Sequence, residues 1–324
     1  MTLKNIPTNI ITGFLGAGKT TTILHLLKHK PEDETWAVLV NEFGKIGIDG
    51  QIIQSHGAMV KEIPGGCMCC AAGVNMKVGL NALVKQTQPD RLLIEPTGIG
   101  HPQQILKILR EPPYNELLDM RACITLIDPR HLQDGRYLSN ENFNQQIDIA
   151  DILLANKTDQ CSTEDRQAFY QLVKDQNKQS SGWVQHGHLQ IELLDLPHSG
   201  SDPSATHYHH HNEVEPAAEI ELKAGETFRR LENTEDDFFS CGWLFSDQIF
   251  DFDKLFSLFN QLNISRIKAA VLSNQSAVFF NCVGQDISLH KLDTLTHSRI
   301  EFISLHSMGW DEIEERLLDC LIAS

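Results

Sequence analysis

The octapeptide Gly13-Phe-Leu-Gly-Ala-Gly-Lys19-Thr20 satisfies the pattern G-x-x-x-x-G-K-[ST] at every position. It follows a short strand pattern, Asn9–Thr12, and precedes a helical pattern over 18–30 that puts Ile23, Leu24, Leu26 and Leu27 on an apolar face. Strand, glycine-rich turn and helix in that order form an anion cradle. Glycine tolerates the backbone angles that let successive N–H groups point inward, and the helix start adds partial positive charge. Gly13, Gly16, Ala17 and Gly18 are candidates to wrap phosphate. Lys19 can reach the β- and γ-phosphates, and the Thr20 hydroxyl can ligate Mg²⁺.

Such a cradle calls for a parallel sheet, and the rest of the N-terminal half supplies one. Strand patterns recur at Trp36–Val40, Ala58–Ile63, Arg91–Ile94, Ala122–Ile127 and Ile152–Ala155, with helical patterns at 73–87, 102–110, 142–150 and 163–178. Continuous apolar strands alternating with helices predict an α/β domain whose mainly parallel sheet is covered on both faces. Residues 197–217 break this pattern with His, Ser, Pro and acid, and read as a linker or loop. Strand patterns return at Ser240–Phe245, Ile267–Ser273, Ala277–Val283 and Ile300–Leu305, with helices at Asp251–Leu262 and Asp311–Ile322. The expected organisation is a domain over 1–195, a His-rich linker over 196–218, and a smaller α+β domain over 219–324. In the latter, Trp243 and Trp310 are expected in the core. Arg266 and Lys268 are expected on a solvated face, and Glu232–Asp237 in a solvated loop.

Asn156-Lys157-Thr158-Asp159 follows the apolar run Ile152–Ala155. The Asp159 carboxylate can accept hydrogen bonds from guanine N1–H and the N2 amino group. Adenine offers no such pair, and a site left unpaired discriminates strongly. Asn156 can bond the opposite side of the base, and the Lys157 stem can pack on its ring. Glu95-Pro-Thr-Gly98 ends another strand pattern, where a carboxylate can contact Mg²⁺ directly or through water. Gly98 can let a backbone N–H approach the γ-phosphate. Glu42 and Asp49 lie in the loop expected to cover the phosphates, as Mg²⁺ or water positioners or as solvated acids. No residue stands out as the water activator beyond Asp49, so slow intrinsic hydrolysis is expected.

Gly65-Gly66-Cys67-Met68-Cys69-Cys70 departs from an ordinary nucleotide hydrolase. Thiolates suit Zn²⁺ and other thiophilic ions. Cys67 and Cys69 are closer than the usual structural zinc spacing, but a tight turn could present two or three sulfurs to one exchangeable ion, with Glu42 supplying an oxygen. Buried inert thiols and a Cys67–Cys70 redox pair are the alternatives. The other five of the eight cysteines are scattered, which fits reduced cytosolic thiols better than a disulfide framework. His207, His209, His210 and His211 form either a metal-gathering tract or a solvated linker, and His186 and His188 could contribute to it.

With 27 basic and 43 acidic residues the net charge is −16, which argues against nucleic-acid or anionic-membrane binding. No apolar run approaches the ~18 residues of a membrane span, and the first residues do not read as a secretory signal. A cytoplasmic location is expected.

GFLGAGKTT, NEFG, GGCMCC, EPTG and NKTD, in this order and spacing, closely resemble the CobW-like family of GTPase metallochaperones, relatives of the hydrogenase and urease accessory GTPases. The resemblance covers the N-terminal domain and extends loosely to the second. It implies a P-loop GTPase fold, with Gly16 to Thr21 on phosphate and Thr20 on Mg²⁺. It further implies that Asn156, Lys157 and Asp159 read guanine, and that Cys67, Cys69 and Cys70 carry a transferable metal. GTP, Mg²⁺ and Zn²⁺ are the implied ligands, with Co²⁺ as an alternative. A client apo-metalloprotein is the implied partner, and a homodimer the expected assembly. A cobalt or iron insertase, or a nucleotide-regulated metal buffer, are the competing functions.

Overall fold

The structure is a computed structural model that describes residues 5–41, 59–63, 72–98, 102–176, 178, 180–200, 222–223, 225–235, 238–262, 264–283, 286–292, 295–304 and 306–322. The chain forms two compact units.

In chain order the first unit contains β1 (Ile6–Gly13), α1 (Lys19–His29), β2 (Trp36–Asn41), β3 (Met59–Ile63), α2 (Ala72–Thr87) and β4 (Arg91–Glu95). These are followed by α3 (Pro102–Arg110), α4 (Tyr114–Leu117), β5 (Leu118–Met120), β6 (Ile124–Ile127), α5 (Gly135–Leu138) and α6 (Glu141–Asp148). The last elements are β7 (Ile152–Ala155), α7 (Thr163–Asp175) and β8 (Ser180–Trp183). The sheet runs β3-β2-β4-β1-β6-β7-β8, with β5 also paired to β1. Every pairing in it is parallel. Ile10, Val38, Leu39, Leu93 and Leu153 are wholly buried. A central strand covered on both faces has no polar side to show, which is why these runs read as continuous rather than alternating. β1 sits between β4 and β6, so the turn leaving its carboxyl end opens where such sheets bind ligands.

The second unit is a separate antiparallel sheet ordered β13-β12-β11-β14-β10-β9. Its elements are β9 (Phe228–Glu235), β10 (Phe238–Phe245), α8 (Phe252–Gln261), β11 (Arg266–Leu272), β12 (Ala277–Val283), β13 (Asp286–Lys291), β14 (Ser298–Ser304) and α9 (Trp310–Leu318). Inward residues alternate along the strands: Trp243 and Phe245, Ile267, Ala269 and Val271, Ile300 and Phe302. They join Leu255, Phe259, Trp310 and Ile313 of α8 and α9 in one core. Trp243 and Trp310 are core residues, as expected, and the Trp243 indole N–H donates to Glu314 Oε2 at 2.7 Å. Asp251 caps α8 by accepting from the Lys254 N–H.

Two expectations are corrected here. Arg266 and Lys268 are buried, at 8% and 4% exposed. They alternate with Ile267 and Ala269 on a strand flanked on both sides, and Lys268 stands opposite the equally buried Glu301 in the β11–β14 register. Opposite charges facing one another across a ladder are tolerated where isolated ones are not. Glu232 lies within β9, paired to Cys241, and not in a loop. A charged edge strand lacks an apolar signature because charge discourages edge-to-edge pairing with other chains.

Candidate functional site

The glycine turn after β1 has the backbone that its sequence demands. Gly13, Gly16 and Gly18 have φ of 145°, 77° and 99°. A Cβ on Gly13 would lie 2.4 Å from the Leu126 carbonyl oxygen, and one on Gly18 2.3 Å from Asn156 Nδ2. Gly18 precedes α1 with no side-chain cap, so the first-turn N–H groups of α1 face the cradle without a competing acceptor from the cap residue.

Lys19 is 5% exposed, and its ammonium donates to the Gly13 and Phe14 carbonyls at 2.8 and 3.4 Å. The charge is thus held at the mouth of the turn. Thr20 Oγ1 donates to Glu95 Oε1 at 3.0 Å, from the first turn of α1 to the end of β4. A hydroxyl and a buried carboxylate at that separation are hard oxygen donors of the kind Mg²⁺ takes. Thr21 follows at the partly exposed start of α1. Gly98 packs against the turn so closely that a Cβ there would meet Leu15 N at 2.9 Å and Lys19 Nζ at 3.0 Å. Gln146 of α6 donates to the Gly98 carbonyl at 2.9 Å and so fixes that approach. Lys19, Thr20, Glu95 and Gly98 therefore come together, as their motifs imply.

The Asn156–Asp159 loop leaves β7 beside this cradle. Asn156 is 2% exposed. Its Nδ2 donates to the Ala17 carbonyl at 2.9 Å, and its Oδ1 accepts from the Gly187 N–H at 3.4 Å. The Asn156 amide joins two stretches of backbone, and its second N–H is not used by either bond. Lys157 adopts φ 56° and opens a short helical turn over Thr158–Gln160, and Asp159 is exposed on that turn.

Two contributors carry no recognisable sequence signal. The first is the segment after β8. Val184 N–H donates to Ala155, and Gly187 packs on α1 so tightly that a Cβ would lie 2.8 Å from Thr22 N. The strand feeding it, Ser-Ser-Gly-Trp, has no apolar run. The second is Asp128 at the end of β6, 4% exposed and 3.4 Å from Lys157 Nζ. Burial alone would raise its pKa. The Arg130 hydrogen bonds and the Lys157 charge outweigh that and hold the carboxyl below its ordinary range.

His188 does not stand alone. Its ring stacks on His25 at 4.5 Å, and His25 lies 4.2 Å from His29 one turn along α1. Burial and then the neighbouring His29, His188 and Lys28 lower the His25 pKa. The rings lie against one another rather than converging, and among the described residues no three metal-ligating side chains meet around a common point. Glu42, Asp49, Cys67, Cys69, Cys70, His207, His209, His210 and His211 lie outside the described residues. The described thiols, Cys123, Cys161, Cys241, Cys282 and Cys320, are free and buried or half-buried. No described helix is long and apolar enough to cross a membrane.

The family model for the CobW/HypB/UreG nucleotide-binding domain matches residues 7–182. The chain is 43% identical over 324 residues to the zinc chaperone YeiR of Escherichia coli (strain K12), covering 98% of each. It is 31% identical over 194 residues to the zinc chaperone CobW of Pseudomonas aeruginosa, covering 50% of this chain and 52% of that one. The solved structure of Zn(II)-bound YjiA GTPase from E. coli aligns at 21% identity with a TM-score of 0.44, covering 98% of this chain and 99% of that one. On the match to residues 7–182 and the identity along nearly its whole length, this chain belongs to the CobW/HypB/UreG family of nucleotide-binding proteins.

Proposed function

We propose that the protein is a GTP-hydrolysing metallochaperone that carries Zn²⁺ to a client metalloprotein. The observation that carries the GTPase part is the assembly of Lys19, Thr20 and Glu95 at one strand end, with the Asn156–Asp159 loop anchored to the same turn through the Ala17 carbonyl. Phosphate recognition and base recognition then share one frame. Thr20 and Glu95 would hold Mg²⁺, which supplies charge neutralisation at the phosphates. Lys19 moves from the turn carbonyls to the phosphate oxygens, and Asp159 takes the two guanine donors. Gly98 gives its backbone to the γ-phosphate. Asp49 is the proposed water positioner.

The zinc part is supported by the names of the relatives and by the chemistry of Gly65–Cys70. Cys67, Cys69 and Cys70, with Glu42, would carry the ion as cargo, and His207–His211 would gather it. The GTPase domain spans 1–195, the linker 196–218 and the second domain 219–324. A cytoplasmic location, a homodimer and a client apo-enzyme complete the reading.

The test is metal analysis and turnover on the same preparation. About one Zn²⁺ should bind per chain, and Co²⁺ substitution should give sulfur-to-metal charge-transfer absorption in the near ultraviolet. Cys67→Ala or Cys69→Ala should abolish that band, while deletion of 207–211 should leave it. GTP should be hydrolysed and ATP not. A band that survives both cysteine changes and disappears with the histidine deletion overturns the cysteine assignment. Equal turnover of ATP overturns the nucleotide assignment.

A further inference from the structure

Asp128 is placed by the β6–β7 register. Ile127 pairs with Ala155, so the first residue beyond β6 stands beside the first residues beyond β7. Its carboxylate is already well served. Arg130 Nε and Nη2 donate to Oδ1 and Oδ2 at 2.9 and 2.7 Å, and the Arg130 backbone N–H adds a third bond at 3.2 Å. A forked guanidinium of this kind satisfies a buried carboxylate. The Lys157 ammonium at 3.4 Å is therefore additional to what the charge needs. Arg130 in turn donates to Gln160 on the same loop, and the Lys157 carbonyl accepts from Cys161 Sγ at 3.4 Å. Thus the loop is tied to Arg130 through the Gln160 side chain and to Asp128 through the head of Lys157.

A lysine at φ 56° has its stem directed by both ends. If the head were free, the four-carbon stem would sample many rotamers, and ordering it on a ligand would cost entropy. Holding the head on Asp128 removes that cost in advance. We propose that Asp128 is a positioning residue for the base: it anchors the Lys157 ammonium so that the lysine stem is already laid out to pack on the guanine ring. This rests on the reading of Asn156–Asp159 as the base-reading loop. It adds a residue outside that motif, acting through Lys157 and without contact to the nucleotide.

The stem packs on a purine face whatever its exocyclic groups, whereas Asp159 reads the guanine N2 amino group. GTP and inosine triphosphate, which lacks that group, therefore separate the two roles. Steady-state kinetics and equilibrium binding with both nucleotides should be measured in the full chain for wild type, Asp128→Asn, Lys157→Met, the double variant and Asp159→Asn. Lys157→Met keeps the stem but loses the charge that Asp128 holds. The Lys157 side chain is 18% exposed, so urea unfolding of the variant is measured alongside to establish that the fold is retained.

Asp128→Asn and Lys157→Met should each weaken both nucleotides about tenfold, and by the same factor for each. The loss should fall on KM, with kcat at saturating GTP moving less than about twofold. The double variant should bind nucleotide no worse than Asp128→Asn alone, because the Lys157 contact is already lost in that variant. Unchanged KM in Lys157→Met, or losses that multiply in the double variant, would overturn the proposal. Should Asp159→Asn leave the preference for GTP over inosine triphosphate intact, the base-reading assignment itself fails. Erosion of that preference by Asp159→Asn, with no effect of Asp128→Asn, refutes only the role of Asp128.

Discussion

Gly18 shows how much a single side chain can decide at this site. Its φ of 99° excludes an ordinary side chain on strain alone, and a Cβ would enter the space of Asn156 Nδ2 at 2.3 Å. Gly18→Ala should therefore act twice: it destabilises the turn, and it pushes the Asn156 amide off the Ala17 carbonyl. We expect a loss of about 1–3 kcal/mol in unfolding free energy. GTP affinity should fall at least as far as the loss of one buried hydrogen bond implies, about tenfold. Urea unfolding and nucleotide titration on the same variant check both numbers. A variant of wild-type stability and affinity would mean that the amide contact is dispensable. The neighbouring Ala17 is engaged through its backbone, its N–H donating to the Phe14 carbonyl at 3.1 Å and its carbonyl accepting from Asn156.

At the level of elements, the segment around His198 and Ser199 is held by a small polar cluster. His198 Nδ1 lies 2.6 Å from Asp151 Oδ2, the Ser199 N–H donates to Oδ1 at 2.9 Å, and the Cys123 N–H donates to Oδ2 at 2.7 Å. Burial opposes ionisation of Asp151, but the bonds from His198, Ser199 and Cys123 prevail, and its pKa falls from 3.8 to about 2. A depressed carboxylate stabilises the fold fully above its unfolded pKa, and loses that contribution as pH falls through 3.8 towards 2. The wild-type advantage over Asp151→Asn should be about 2 kcal/mol at neutral pH and shrink between roughly pH 4 and pH 2. Denaturant midpoints of both proteins at pH 7 and pH 3 measure it. A constant gap would assign the effect to packing instead of charge.

The same scale explains what could be read beforehand. α6, α7 and the strands β1, β2, β4 and β7 were legible because burial on both faces, or on one helical stripe, writes itself as apolar periodicity. The phosphate turn was legible because its backbone angles leave little choice but glycine. β8 was not, since an edge strand of Ser, Ser, Gly and Trp needs only backbone pairing to β7. β9 was hidden by its charges. Asp128 was invisible for another reason: its meaning lies in what it faces across the β6–β7 register, and no local pattern records that. Asn156 was recognised as a motif residue, but its bonds to the Ala17 carbonyl and the Gly187 N–H were not foreseen, because a motif names a residue type and not the direction of its amide.

For the molecule as a whole, cargo and nucleotide must answer to each other if the protein works as proposed. Any change that GTP makes to Zn²⁺ affinity equals the change that Zn²⁺ makes to GTP affinity. Typical couplings of about 1–3 kcal/mol correspond to roughly 5–150-fold. Stoichiometric Zn²⁺ should tighten a non-hydrolysable GTP analogue by a factor in that range, tighten GDP by less, and have no such effect in Cys69→Ala. Calorimetry with and without Zn²⁺ decides it. Identical affinities in the wild type would leave hydrolysis with no means to release metal. Lys19→Ala should keep metal and lose nucleotide-dependent delivery. The Asn156 amide gives this cycle a particular starting point. One side chain spans the glycine turn after β1 and the segment after β8. If both ends of the nucleotide bind as proposed, a single preassembled girder would serve them, with that part of the ordering done before either end arrives. A nucleoside and a pyrophosphate offered separately would each meet a site already shaped by the other's contacts, so the linked molecule gains a chelate advantage with little of it spent on folding loops.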